Sequence, residues 1–88
     1  MIEVKIRLFG ALRDYGDDRE IKLKVPASSS VCQLRASLLS HIQCFHPQFA
    51  EPHLVMDSAF AIESEILQDS FQIESDCRLA ILPPVCGG

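Results

Sequence analysis

The residues with the clearest chemical potential are the last six, Pro83-Pro84-Val85-Cys86-Gly87-Gly88. Two successive prolines lack a backbone N–H and have a fixed φ, so they cannot continue the interior of a sheet. They send the chain outward as a stiff spacer. Two glycines carry no side chain, so their backbone can pass through a narrow channel. The carboxylate of Gly88 then stands on an unhindered arm. A carboxylate is a poor electrophile. Converted by another enzyme to a mixed anhydride, it can accept sulfur or an amine. The plain alternative is a flexible tail, residues 83–88, that ends in glycines by chance.

No second constellation of this kind stands out. The four cysteines, Cys32, Cys44, Cys77 and Cys86, include no C-x-x-C pair, and nothing marks a secreted context in which they would form disulfides. Cys32, Cys44 and Cys77 read as small apolar fillers. His41, Cys44, His46 and His53 fall within thirteen residues. Their spacing matches no familiar zinc pattern, and Pro47 breaks any helix carrying them, so no metal is expected. The remaining Ser, His and acidic side chains show no spacing suited to catalysis. The chain is therefore not expected to be an enzyme by itself.

What must position the tail is small. A chain of 88 residues is one domain with one modest core. Apolar residues make up 48% and charged residues 23%, which excludes a disordered or collagen-like chain. Eight Lys and Arg against twelve Asp and Glu give a net charge of −4, a poor match to nucleic acid. Residues 31–88 hold two of the basic and seven of the acidic groups, a net of −5. That surface reads as a solvated face, with a docking face for a basic partner as the sharper reading. Met1-Ile2-Glu3-Val4-Lys5-Ile6-Arg7 alternates charged and apolar side chains, unlike a signal peptide. No apolar run approaches the ~20 residues that span a bilayer. A cytoplasmic chain with no membrane partner is expected.

The elements follow from periodicity. Ile2, Val4, Ile6 and Leu8 alternate with Glu3, Lys5, Arg7 and Phe9, which predicts a strand with one buried face. Gly10 to Gly16 reads as a turn or one helical turn. Ile21, Leu23 and Val25 alternate with Glu20, Lys22 and Lys24 and predict the second strand of a hairpin. Ser30 and Gln33 have capping-box spacing. Val31, Leu34, Leu38 and Ile42 then form one apolar stripe, predicting a helix over about 30–44. Leu54-Val55-Met56 is a short apolar run. Phe60 and Ile62 suggest a short strand, and residues 63–70 are polar and poorly patterned. Leu79-Ala80-Ile81-Leu82 has the make-up of a buried central strand ending at Pro83-Pro84. Two hairpin strands, one helix and a final central strand predict an α+β fold over residues 1–82. The β-grasp arrangement fits this order: a mixed sheet with one main helix packed across it, the last strand parallel to the first.

The closing six residues also resemble the end of the molybdopterin synthase small-subunit family, which are ubiquitin-like sulfur carriers of the molybdenum cofactor pathway. Leu8-Phe9-Gly10-Ala11-Leu12-Arg13-Asp14-Tyr15-Gly16 is similar to that family's segment after the first strand. Cys86 departs from the Ser or Thr common there. It reads as one small residue replacing another, with a thiol beside an activated carbonyl as the alternative. The turn Ser75-Asp76-Cys77 stands where the family often has Asp-Gly-Asp, and residues 58–72 look longer than usual.

The resemblance implies a ubiquitin-like β-grasp and a course of chemistry. An E1-like enzyme adenylates Gly88, and sulfur from a donor protein displaces the transient AMP adduct. The resulting thiocarboxylate enters a large catalytic subunit and donates sulfur to a cyclic pyranopterin monophosphate, forming the dithiolene. Gly88 carries the reacting group, Gly87 gives passage, and Pro83, Pro84, Val85 and Cys86 position the arm. Arg13 becomes a partner contact. No cofactor is permanently bound. Two large and two small subunits would form the complex.

Three rivals share parts of this picture. A carrier for thiamin thiazole or another sulfur pathway shares the Gly-Gly end but usually lacks Pro-Pro. A ubiquitin-like modifier joins Gly88 to lysines as an isopeptide. A non-catalytic β-grasp interaction module keeps all its function when Gly87 and Gly88 are removed, whereas a carrier loses its chemistry and keeps its fold.

Overall fold

A computed structural model describes residues 1–63 and 65–84. Five strands form one mixed sheet: β1 (Ile2–Leu8), β2 (Glu20–Val25), β4 (Ala59–Ile62), β5 (Glu65–Leu67) and β7 (Cys77–Leu82), in the order β2-β1-β7-β4-β5. β1 and β2 are antiparallel, with Ile6 opposite Ile21. β7 lies between β1 and β4, parallel to β1, with Leu8 opposite Ile81. This is the β-grasp expected from the element order, and among the described residues its strands and helices fall between Ile2 and Leu82.

The helix α1 (Val31–Phe45) crosses one face of the sheet. Its stripe Val31, Leu34, Leu38 and Ile42 is fully buried against Val4, Ile6 and Leu8 of β1 and Leu79 and Ile81 of β7. Complete burial of such a side chain contributes about 1.5–3 kcal/mol. The start of α1 is set by the predicted capping box: Ser30 Oγ accepts from the Gln33 amide at 3.1 Å, and Gln33 Oε1 accepts from the Ser30 amide at 2.9 Å. The two amides ahead of Gln33 are also filled. Val31 N–H donates to Phe71 O at 2.9 Å, and Cys32 N–H donates to Asp69 O at 3.0 Å. Four helix-end donors that would otherwise lack partners are thus satisfied, and residues 69–73 are pulled onto the helix.

That docking explains what periodicity did not show. Residues 63–70 contain β5, which pairs with β4. A second, two-residue ladder joins β3 (Ser29–Ser30) to β6 (Gln72–Ile73). β3 and β6 are remote from each other in sequence, and like β5 they are too short to show alternation. Leu54 and Val55 sit on a short helix, α2 (His53–Met56), and both are buried. Two expectations are corrected. β7 is central by its neighbours but buried on one face only: Leu79 and Ile81 point to the core, while Arg78 and Leu82 are exposed. Cys32 and Cys44 are exposed rather than core fillers, because each falls off the stripe of α1; Cys77 is half-buried.

Between β1 and β2 the chain makes a six-residue 3₁₀ helix, Gly10–Tyr15, anchored by fully buried Leu12. Tyr15 packs edge-on against His46 and Phe49, with ring centroids 5.1 and 4.9 Å apart. The end of α1 and the turn after β1 therefore close the same end of the molecule. Among the described residues no helix is long and apolar enough to cross a membrane.

Candidate functional site

The predicted tail starts where β7 ends. Among the described residues Leu82 is the last one paired in the sheet, opposite Ala59. Pro83 and Pro84 follow, both half-buried and outside any strand. The two prolines thus stop the ladder, as their missing N–H requires. Val85, Cys86, Gly87 and Gly88 lie outside the described residues.

The base of the tail rests on the turn after β1. Because β1 and β7 are parallel, their C-terminal ends lie side by side, which brings Phe9 and Gly10 next to Leu82 and Pro83. Gly10 has φ +60°, a conformation few L-residues adopt. A Cβ there would stand 3.1 Å from Pro83 Cγ. Glycine at position 10 therefore serves both the turn and the seat of Pro83. Phe9 is 41% exposed and Leu82 39% exposed, so the tail leaves from beside an apolar step. The Arg7 guanidinium lies 5.8 Å from the Phe9 ring centroid. Arg13, the sequence-predicted partner contact, is exposed on the 3₁₀ helix that follows Phe9.

Sequence reasoning placed Gly10 inside a motif but gave it no role. The usable signal was a glycine directly after an alternating strand. Substitution of Gly10 by Ala is expected to cost about 1–2 kcal/mol for the left-handed backbone. It should also displace Pro83. Chemical denaturation reads out the first effect, and the amide shifts of Ala80 and Leu82 in β7 read out the second.

A cleft of about 730 Å³ opens between the C-terminal half of α1 and the edge strand β2. Asp14, Asp17, Asp18 and Glu20 line it together with His41 and His46. Among the described residues no group of three or more His, Cys, Asp or Glu is placed to hold a metal ion. Partial burial lowers the pKa of His41 from its ordinary value of 6.5, and the nearby His46 lowers it further. The folded state therefore favours neutral His41. Its contribution to stability is full above about pH 6.5 and is lost as the pH falls through the depressed folded value. A His41→Gln variant should lose less stability than the parent when melting is followed from pH 7 down to pH 5. At the start of β7, the Cys77 thiol is pushed up by burial and then by Asp76, which keeps it a thiol rather than a nucleophilic thiolate.

Comparison with known proteins bears on the tail directly. The profile of the ThiS family matches residues 6–88, a span that includes both the turn after β1 and the Gly-Gly end. The chain belongs to the ThiS family. Its fold is the ubiquitin-like β-grasp. No curated protein sequence matches it. Among solved structures it is similar to H. volcanii small archaeal modifier protein 1, with a TM-score of 0.68 at 18% identity over 97% of this chain and 100% of that one. A putative molybdopterin converting factor subunit 1 from Pyrococcus furiosus gives a TM-score of 0.63 at 18% identity, covering 97% of this chain and 100% of that one. A ubiquitin from Caldiarchaeum subterraneum gives 0.62 at 13% identity, covering 99% and 98%. At these identities the structural likenesses establish the fold.

Proposed function

We propose that this ThiS-family chain is the sulfur-carrying subunit of a molybdopterin synthase. The observation that carries the reading is the Pro83-Pro84-Val85-Cys86-Gly87-Gly88 end within the family match, rooted on a glycine seat beside the sheet's central strand. An E1-like enzyme attacks ATP with the Gly88 carboxylate, forming an acyl adenylate and releasing pyrophosphate. Sulfide-level sulfur delivered by a donor protein attacks the acyl carbon, the bond to AMP breaks, and a C-terminal thiocarboxylate is left. The arm then delivers this group into the large catalytic subunit, where sulfur passes to a cyclic pyranopterin monophosphate. The chain itself binds no resident cofactor. Pro83 and Pro84 stiffen the departure from the fold, and Gly87 passes through a channel too narrow for a side chain.

The likeness to a small archaeal modifier protein and to a ubiquitin supports a second reading. There the same adenylate is attacked by a lysine amine, and the product is an isopeptide. Intact-mass measurement separates the two. The chain, untagged at its C-terminus, is incubated with an E1-like enzyme, ATP and a sulfur donor. A gain equal to exchanging one oxygen for sulfur supports the carrier, and recovery of a Gly88–lysine linkage supports the modifier. No change with any activating enzyme of the same cell would refute both.

A further inference from the structure

The sheet has one covered face and one open face, and the open face is strongly asymmetric in charge. Alternation assigns the sides. Val4, Ile6, Leu8, Ile21, Leu23, Val25, Leu79 and Ile81 are buried toward α1, so the residues between them point the other way. Those residues include Lys5 and Arg7 on β1, Lys22 and Lys24 on β2, and Arg78 on β7. Five of the chain's eight Lys and Arg therefore share one face. Only Glu3 and Glu20 oppose them on these strands. The face carries +3 on a chain whose net charge is −4, which leaves −7 elsewhere.

The register sharpens this. Lys5 is directly opposite Lys22 on one side and directly opposite Arg78 on the other. Three cations thus stand in one row across three adjacent strands, a span of about 10 Å. Like charges directly opposite each other destabilise a sheet. Among the described residues the one ion pair made by this row is Arg78 Nε to Glu20 Oε2 at 3.7 Å, with the Arg78 side chain 69% exposed. A fold gains nothing from this arrangement, whereas an anionic surface laid across it gains three contacts at once.

We infer that the open sheet face, through the row Lys22–Lys5–Arg78, docks a carboxylate-rich surface of the protein that works on the tail. This deepens the carrier reading and rests on it. The occupant follows from charge and position. The row is short, and the −7 around it repels a long polyanion, so a compact acidic protein patch fits better than nucleic acid or an anionic bilayer. β7 carries Arg78 in the row and ends at the root of the tail. Between them its outward, half-buried Ala80 and exposed Leu82, with half-buried Ala59 of β4 opposite Leu82, form an apolar strip. A partner seated on the row therefore meets the departing tail at its own edge. The acidic surface suggested by residues 31–88 is then the repelling background rather than the docking face.

Two measurements on the full chain test this separately. In the first, a synthetic oligoglutamate peptide is titrated into the labelled protein at low salt. The expected result is amide shifts centred on Lys5, Lys22 and Arg78, screened out by salt, with affinity falling about tenfold or more in the triple variant K5Q/K22Q/R78Q. That variant should melt no lower than the parent, because it removes like-charge neighbours. Shifts on another surface, unchanged affinity in the variant, or preferential binding of a DNA oligonucleotide or phosphatidylserine vesicles would overturn the inference. In the second, the variant's KM for the E1-like enzyme should rise about tenfold with kcat unchanged. A KM within twofold of the parent sinks the docking face. Failure of the parent itself to be adenylated refutes the carrier reading instead, and the peptide titration still decides the face.

Discussion

Removing Gly88 should abolish sulfur loading and leave the fold intact. The new terminus, Gly87, still bears a carboxylate, but one residue earlier. Consecutive Cα atoms are about 3.8 Å apart, so the reacting carbon stops about that far short of its place in the activating enzyme. Misplacement by even ~1 Å can cost about a hundredfold in rate. A loss of at least about a thousandfold in adenylate formation is therefore expected, measured by ATP–pyrophosphate exchange. Removing Gly87 as well should leave nothing detectable.

The same truncations should not change the melting temperature. Among the described residues the last one paired is Leu82, and the tail root is held at Pro83 by Gly10, both upstream of the cut. The combination of outcomes is what discriminates. Lost loading with an unchanged melt supports a carrier or modifier. Full function after truncation would leave an interaction module with an inert end. A variant that fails to fold would mean that the tail packs on the domain, against the division at residue 82.

Much of this architecture is legible in the sequence because its largest elements carry one unbroken period each. β1 and β2 alternate over their whole lengths, and α1 places four apolar side chains on a single stripe. The capping box is equally local: Ser30 and Gln33 need only each other. The tail is legible for another reason, since Pro-Pro and Gly-Gly act through backbone properties that hold in any context. What was hidden depends on pairing partners rather than on a period of its own. β5 and β6 are three and two residues long, too short to display a period. They exist because β4 pairs with β5 and β3, just ahead of α1, pairs with β6. The exposed cysteines Cys32 and Cys44 misled for a related reason: residue type suggested burial, while helical phase turned them outward. The basic sheet face was hidden too. Counting charge along the chain divides it at residue 30, whereas the fold divides it by strand parity and brings Arg78 beside Lys5.

Arg35 shows the same limit most sharply, and its substitution should have the largest effect on stability of any charged residue. Composition counted it among the few cations of an acidic half. In the structure it is 9% exposed, on the flank of α1. Its Nη2 donates to Ser58 O at 2.8 Å, at the entrance to β4. Its Nη1 pairs with Asp69 Oδ1 at 3.0 Å, and the guanidinium lies 5.5 Å from the centroid of buried Phe60. One side chain thus ties the helix to both ends of the β4–β5 hairpin. Nε is buried without a hydrogen-bond partner, so the cation is held at some desolvation cost. Arg35→Ala removes the ties and leaves the Ser58 carbonyl unpaired. Breaking a buried pair commonly costs about 3–5 kcal/mol. Asp69 is 60% exposed and can rehydrate, which brings the expected loss to about 2–3 kcal/mol. Arg35→Met fills the same space without the buried charge and should recover part of that loss. Urea denaturation of both variants checks the ordering. If Arg35→Ala falls within about 0.5 kcal/mol of the parent, the range of an ordinary surface change, the guanidinium does not hold the hairpin on the helix.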